Sequence, residues 1–205
     1  MADADSDYTT AALVKSELGI TVSTYDTDLA RLVTQASRAL DAFAGRRFYT
    51  PTADETRVFD VPTRWTDDIL LDFDLFSLTS LTNGDGTAIA ATQYVLLPAN
   101  KTPKWGIRLK WRSRDTVWEP SSDGDYDQVV QVTGKWGFSS SAPGPIARAA
   151  TDTVKAWHIA RQNTGISSVS IDNYSVSYAN AQKGALPEGV KADLLSQGYV
   201  RTRMA

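Results

Sequence analysis

Cysteine is missing from this 205-residue chain, and histidine occurs once, as His158. The first absence excludes disulfides, thiol nucleophiles and thiolate metal sites; the second excludes clustered imidazole ligands. No apolar run reaches the roughly 18 residues of a membrane helix, so no membrane partner is expected. The N-terminal MADADSDY is acidic and lacks the basic and apolar regions of a signal peptide. Phosphate-binding loops, dinucleotide fingerprints, GxSxG and metal-ligand spacings are all missing. So is the basic balance of a nucleic-acid binder, because the net charge is −3. No cofactor is expected.

Charge is unevenly spread. Residues 1–50 carry 5 basic against 7 acidic side chains, residues 51–142 carry 9 against 13, and residues 143–205 carry 7 against 4. The C-terminal third is therefore the only basic one. Hydrophobic residues make up 42% of the chain, enough for one sizeable core or two small ones.

The hydrophobic period changes twice. TTAALVKSEL at 9–18 predicts a short helix, with Thr9 or Thr10 as N-cap and Gly19 as the stop. Residues 26–44 predict a stronger one, with Leu29, Leu32, Val33, Ala36, Leu40 and Phe43 on one face, Asp26 and Asp28 at its positive end, and Gly45 ending it. From about residue 56 the period becomes two. TRVFDV, DILLD at 68–72, the run before Asn83-Gly84-Asp85-Gly86, QYVLL at 93–97, GIRLKW at 106–111 and DQVVQVTG at 127–134 predict strands, with a hairpin at Asn83–Gly86. The helical period returns at Pro145, with Ile146, Ala149, Ala150, Thr153, Val154 and Trp157 on one face. Residues 166–186 alternate weakly, as a hairpin or an extended arm. Residues 187–198 predict a last short helix carrying Val190, Leu194 and Leu195.

Short helices cannot bury a core alone. The expected fold is α+β: a small helical bundle (1–50 and 143–164), an inserted antiparallel β domain (51–142), and a C-terminal extended arm plus short helix (165–205). Gly134-Lys135-Trp136-Gly137 predicts a sharp turn. There Trp136 either wedges between the β block and the bundle or simply fills the core of a hairpin.

Each patch of chemistry has a plain alternative. DGDYD at 123–127 starts like a calcium loop, but its sixth and twelfth positions hold Gln128 and Gly134, so a solvated turn is the better account. Asp67, Asp68, Asp72 and Asp74 could be paired catalytic carboxylates, or merely charged strand flanks. His158 has no nucleophile motif beside it. KTPKWGIRLKWRSR at 101–114 holds six basic residues and two tryptophans, a phosphate or acidic-protein patch or else a solvated strand face. Arg46 and Arg47 follow a helix C-terminus, which favours cations in any case.

YTTAALVKSELGI, then DTDLARLVTQASRALDAFAGRRF, VQVTGKWGF, IARAATDTVKAWHIAR, SIDNYSVSYA and LPEGVKADLLSQGY together resemble, in order and spacing, the head–tail connector (adaptor, head-completion) proteins of long-tailed bacteriophages and related gene-transfer particles. The resemblance covers both ends of the chain, about half of it; residues 51–131 match only in general character. It implies a virion structural protein and no enzyme: a ring, twelve-fold, beneath the portal protein at the head–tail interface. The ring would extend the DNA channel and dock a stopper or tail-completion protein. DNA would pass through the lumen without specific binding, and the chain would be made in the host cytoplasm. Candidate partner-contact residues are Arg46, Arg47, Trp136, Tyr174, Val176, Tyr178, Arg201 and Arg203. The competing classes are a β-domain binding module for carbohydrate or protein, using the six tryptophans, and a hydrolase using the acids at 67–74.

Overall fold

The computed structural model describes residues 7–62, 68–110, 116–162, 168–171, 174–177 and 185–201. The fold is α+β. The chain divides into two compact units, one made of Met1–Gly45 with Ala142–Ala205 and the other of Arg46–Ser141.

Among its described residues the first unit holds four α-helices: α1 (Ala11–Leu18), α2 (Asp26–Ala44), α3 (Gly144–Gln162) and α4 (Glu188–Ser196). The Thr10 side chain caps α1 by accepting from the Leu13 N–H. Gly45 ends α2 with φ +64°, a conformation that a Cβ would strain. Val14, Leu29, Leu32, Val33, Ala36, Val154 and Trp157 form one buried cluster, so α1, α2 and α3 share a core. All six apolar-face positions expected on α3 are buried. A polar seam joins the N-terminus to this core: Thr9 and Thr151 hydroxyls meet at 2.7 Å, and the Tyr8 N–H donates to Ser37 Oγ at 3.0 Å.

The short C-terminal helix, expected as part of an arm, is instead docked on its own helical unit. Leu186, Val190 and Leu194 are buried, the Trp157 indole donates to the Ala185 carbonyl, and the Arg201 N–H donates to the Ala44 carbonyl at 2.8 Å. The reason is spacing: Val190 and Leu194 lie one turn apart and give α4 one buried apolar stripe, and α4 meets α3. Before α4, β6 (Ser168–Ile171) and β7 (Tyr174–Ser177) pair antiparallel, with Val169 opposite Val176 and Ile171 opposite Tyr174.

The second unit is a five-stranded antiparallel sheet of β1 (Glu55–Phe59), β2 (Asp68–Thr82), β3 (Tyr94–Leu97), β4 (Lys104–Leu109) and β5 (Val130–Trp136), in spatial order β1-β5-β2-β4-β3. Its core includes Phe59, Ile69, Leu71, Leu75, Leu81, Ile107, Val130, Val132 and Trp136. Two expectations need correction. DILLD and the run before Asn83 are one 15-residue strand, β2, whose first half pairs with β4 and second half with β5. The acids within it do not end it, because Asp72 points to solvent and Asp74 is paired with Arg46. Nor does the chain turn at Gly134: β5 continues through Trp136, with Gly134 opposite both Glu55 and Leu78. The Asn83–Gly86 hairpin does form. The Asn83 side chain holds a further loop through Val117 O, at 2.8 Å, and Glu119 N, at 3.0 Å.

Candidate functional site

The glycines around Trp136 answer to packing. A Cβ at Gly134 would fall on the Ser77 carbonyl oxygen and crowd the Leu78 Cα, and one at Gly137 would fall on the Tyr49 carbonyl. Strand β5 therefore lies tightly on its neighbours at both ends of the GKWG stretch. Between them the Trp136 ring points into the sheet core, 2% exposed, stacked on Phe59 at 6.0 Å, with its Nε1–H donating to the Glu55 carbonyl at 2.8 Å. Of the two expectations for Trp136, core filling within the sheet is what is observed. So deeply buried a ring supports its neighbours in the cleft it helps to line.

Those neighbours form the most distinctive constellation of the β unit. Arg46, Arg47, Arg57, Phe73, Asp74, Trp136 and Gly137 line a cleft of about 40 Å³. Each arginine lies over an aromatic ring: Arg46 over Phe138 at 5.2 Å, Arg47 over Tyr49 at 5.5 Å, and Arg57 between Phe73 at 4.1 Å and Trp136 at 4.6 Å. Such stacking fixes a guanidinium flat while leaving its edge free to donate. Arg46 Nε is ion-paired with buried Asp74 at 3.4 Å, and the Asp74 backbone carbonyl accepts from the Gly137 N–H. Arg57 Nε donates to Glu55 at 3.0 Å, while Arg57 Nη1 is buried and meets no hydrogen-bond acceptor among the described residues.

The structure thus brings three of the sequence-selected residues, Arg46, Arg47 and Trp136, to one cleft. Arg57 and Phe73 complete it and were not selected. Their signal was the alternation of β1 and β2, which says which residues share a face but not which strands adjoin. Arg201 is in the helical unit, partly buried. The backbones of Tyr174 and Val176 lie in β7. Tyr178 and Arg203 fall outside the described residues.

The other candidates resolve simply. Arg108 holds Asp68 through two hydrogen bonds of 2.5 and 2.6 Å, which keep the Asp68 carboxyl below its ordinary range despite some desolvation. Asp72 is exposed, and Asp67 falls outside the described residues. With Asp74 ion-paired, no acid–base couple stands out among the described aspartates. Lys104 donates to the Pro98 and Ala99 carbonyls, and Lys110 to Thr92, so these cations of the 101–114 stretch brace loops. Trp111, Arg112 and Arg114 are outside the described residues. Of the four described tryptophans only Trp105 is exposed.

His158 is buried in the helical unit, edge-on to Tyr25 and 2.9 Å from Gln162 Nε2, in a cleft of about 180 Å³ shared with Asp28 and Arg161. Burial, and then Arg161, lower its pKa, with Asp28 opposing. Both clefts are smaller than the roughly 300–1,000 Å³ of small-molecule sites. No cluster of three or more histidine, aspartate or glutamate side chains able to hold a metal occurs among the described residues. No described helix is long and apolar enough to cross a membrane.

Comparison with solved structures gives the fold a precedent. One chain from the virion of a native gene transfer agent particle superposes with a TM-score of 0.54 at 19% identity, over 95% of this chain and 90% of its own length. The fold is shared with a gene transfer agent chain. A second match, from the neck of an empty gene transfer agent particle, has a TM-score of 0.50 at 15% identity, over 86% of this chain and 88% of the other. At the level of sequence, no protein-family profile and no curated protein matches.

Proposed function

We propose that this chain is a virion structural protein of a phage-like particle, an adaptor that forms a ring beneath the portal. The ring would extend the DNA channel and give a stopper or tail-completion protein its platform. The observation that carries this is the fold match over 95% of the chain to a component of a gene transfer agent virion. The neck precedent and the motif order at both chain ends support it. The site chemistry is in keeping: arginines held on aromatic rings and small clefts suit protein–protein contact better than turnover. A net charge of −3 per subunit suits a conduit that does not hold passing phosphates.

The deciding experiment mixes the purified chain with isolated portal rings and measures the mass and symmetry of the product. The adaptor role requires a defined ring of subunits on the portal, and particles lacking the chain should accumulate as filled heads without tails. A chain that never associates with portals, or whose loss leaves particles intact, would end this proposal.

A further inference from the structure

We propose that the arginine cleft of the β unit is one half of a head-to-tail contact between copies of this chain, and that the acidic loop 119–127 of a second copy is its occupant. This rests on the ring assembly proposed above and names the surfaces that would close it.

The cleft is built to receive a carboxylate. Arg57 is held flat between Phe73 and Trp136 and has a buried Nη1–H with no acceptor among the described residues. With Arg46 and Arg47 it makes three guanidiniums against the two carboxylates beside them, Glu55 and Asp74, which leaves the cleft with an excess of positive charge. Exposed Arg47, fixed over Tyr49, adds a second guanidinium at the cleft mouth. A space of about 40 Å³ admits a side-chain carboxylate and is far too small for a nucleotide or sugar.

The complementary group is on the same unit. Residues 116–134 contain no lysine or arginine, and Glu119, Asp123, Asp125 and Asp127 are all exposed there. The loop is pre-shaped: the Ser121 N–H donates to the Asp125 carbonyl, the Val61 N–H to the Tyr126 carbonyl and the Gln128 N–H to Asp60, each at 2.8 Å. Docking it would therefore immobilise little. Tyr126, 55% exposed at the loop tip, supplies an apolar contact beside the acids.

Like charge disfavours contact of either patch with its own copy. The loop leads into β5 at Val130, and the cleft lies at its far end, around Trp136 and Gly137. Trp136 is six residues, about 20 Å, along β5 from Val130, while the Arg57 backbone stands opposite Val132. Two unlike, oppositely charged patches on one unit can join copies head to tail, the kind of contact that generates rings.

Charge exchange tests this. Sedimentation equilibrium of the full chain, up to about 1 mM, should show self-association that weakens with salt. Arg47→Glu and Asp125→Arg should each reduce the association constant at least about tenfold, the effect of losing one close charge pair. Mixing the two variants should restore it, because each swapped face then meets its complement. The rescue also excludes misfolding as the cause of the single losses. A wild type that stays monomeric at about 1 mM, single variants that associate normally, or a mixture without rescue would each overturn the contact. Duplex DNA that binds the wild type, fails to bind Arg47→Glu and leaves self-association untouched would assign the cleft to phosphates and overturn it too. Portal binding without the charge pattern would remove this contact and spare the adaptor role; charge rescue without portal binding would do the reverse.

Discussion

The indole Nε1–H of Trp157, on α3, donates to the backbone carbonyl of Ala185 at 2.8 Å. That bond sits where the C-terminal segment returns to the helical core, just before Leu186, Val190 and Leu194 become buried. Residues 185–201 thus contribute to the subunit's own stability. Leu194→Ala is expected to lower unfolding free energy by about 2–5 kcal/mol, and deletion of 185–205 to lower the melting temperature clearly. Urea melts of both variants check this; a deletion that melts like the full chain would restore the free-arm picture.

Arg46 and Asp74 form an ion pair in which both side chains are largely removed from water. Breaking such a pair costs more than exchanging it for apolar groups. Asp74→Ala is expected to destabilise by about 3–5 kcal/mol, and the double variant Arg46→Met/Asp74→Leu to recover most of that loss. The cycle is measured by denaturant unfolding of the two single variants and the double.

Gly134 is expected to tolerate no side chain. Its Cβ would meet the Ser77 carbonyl oxygen and the Leu78 Cα, both backbone atoms that can yield only by parting β5 from β2. Gly134→Ala should therefore cost about 1–3 kcal/mol or more. Gly144→Ala, where nothing lies within 4 Å of the added atom, serves as the neutral control. Circular dichroism melts of the pair decide the matter.

His158 should make stability depend on pH. Its folded pKa is depressed, chiefly by burial and then by Arg161, so the unfolded chain binds the proton more readily. Stability from the neutral ring is then fully present above the ordinary histidine pKa of about 6.5 and is lost as pH falls from there through the folded pKa. Melting temperature should drop across that window. His158→Gln should flatten the part of the slope due to this ring; an unchanged slope would mean that carboxylates alone set it.

Legibility in the sequence followed how local the physics was. The stripe of α3, that of α2 save for half-buried Phe43, the Gly45 stop and a cap at Thr9 or Thr10 depend on neighbours within a few turns, and spacing alone located them. Strand β2 did not read as continuous, because DILLD ended at an acid, Asp72, with a second, Asp74, just beyond. The cation that neutralises it, Arg46, lies 28 positions earlier, and sequence order says nothing of that pairing. The same limit hid half of the arginine cleft. Arg46 and Arg47 stood out as a doublet, but Arg57 between Phe73 and Trp136 requires the β1–β5–β2 order, which long-range pairing decides. Residues 165–205 read as an arm because their small polar composition and the sparse spacing of Val169, Ile171, Tyr174, Val176 and Tyr178 are too little for a third core, and the docking of α4 depends on the surface of α3, which spacing does not give.

The two chain crossings between units have a consequence for how such a protein can vary. Tyr49 and Ser139 form a β-bridge, the Phe138 N–H donates to the Arg47 carbonyl, and Ser139 Oγ donates to the Phe48 carbonyl. The β unit therefore begins and ends at the same spot. It behaves as a cassette: exchange for a longer, shorter or unrelated sheet need only preserve two adjacent attachment points, and the helices would keep their own core. Head-to-tail ligation of residues 46–141 would need only a short peptide, giving a closed loop whose unfolded form is less free than that of the open chain.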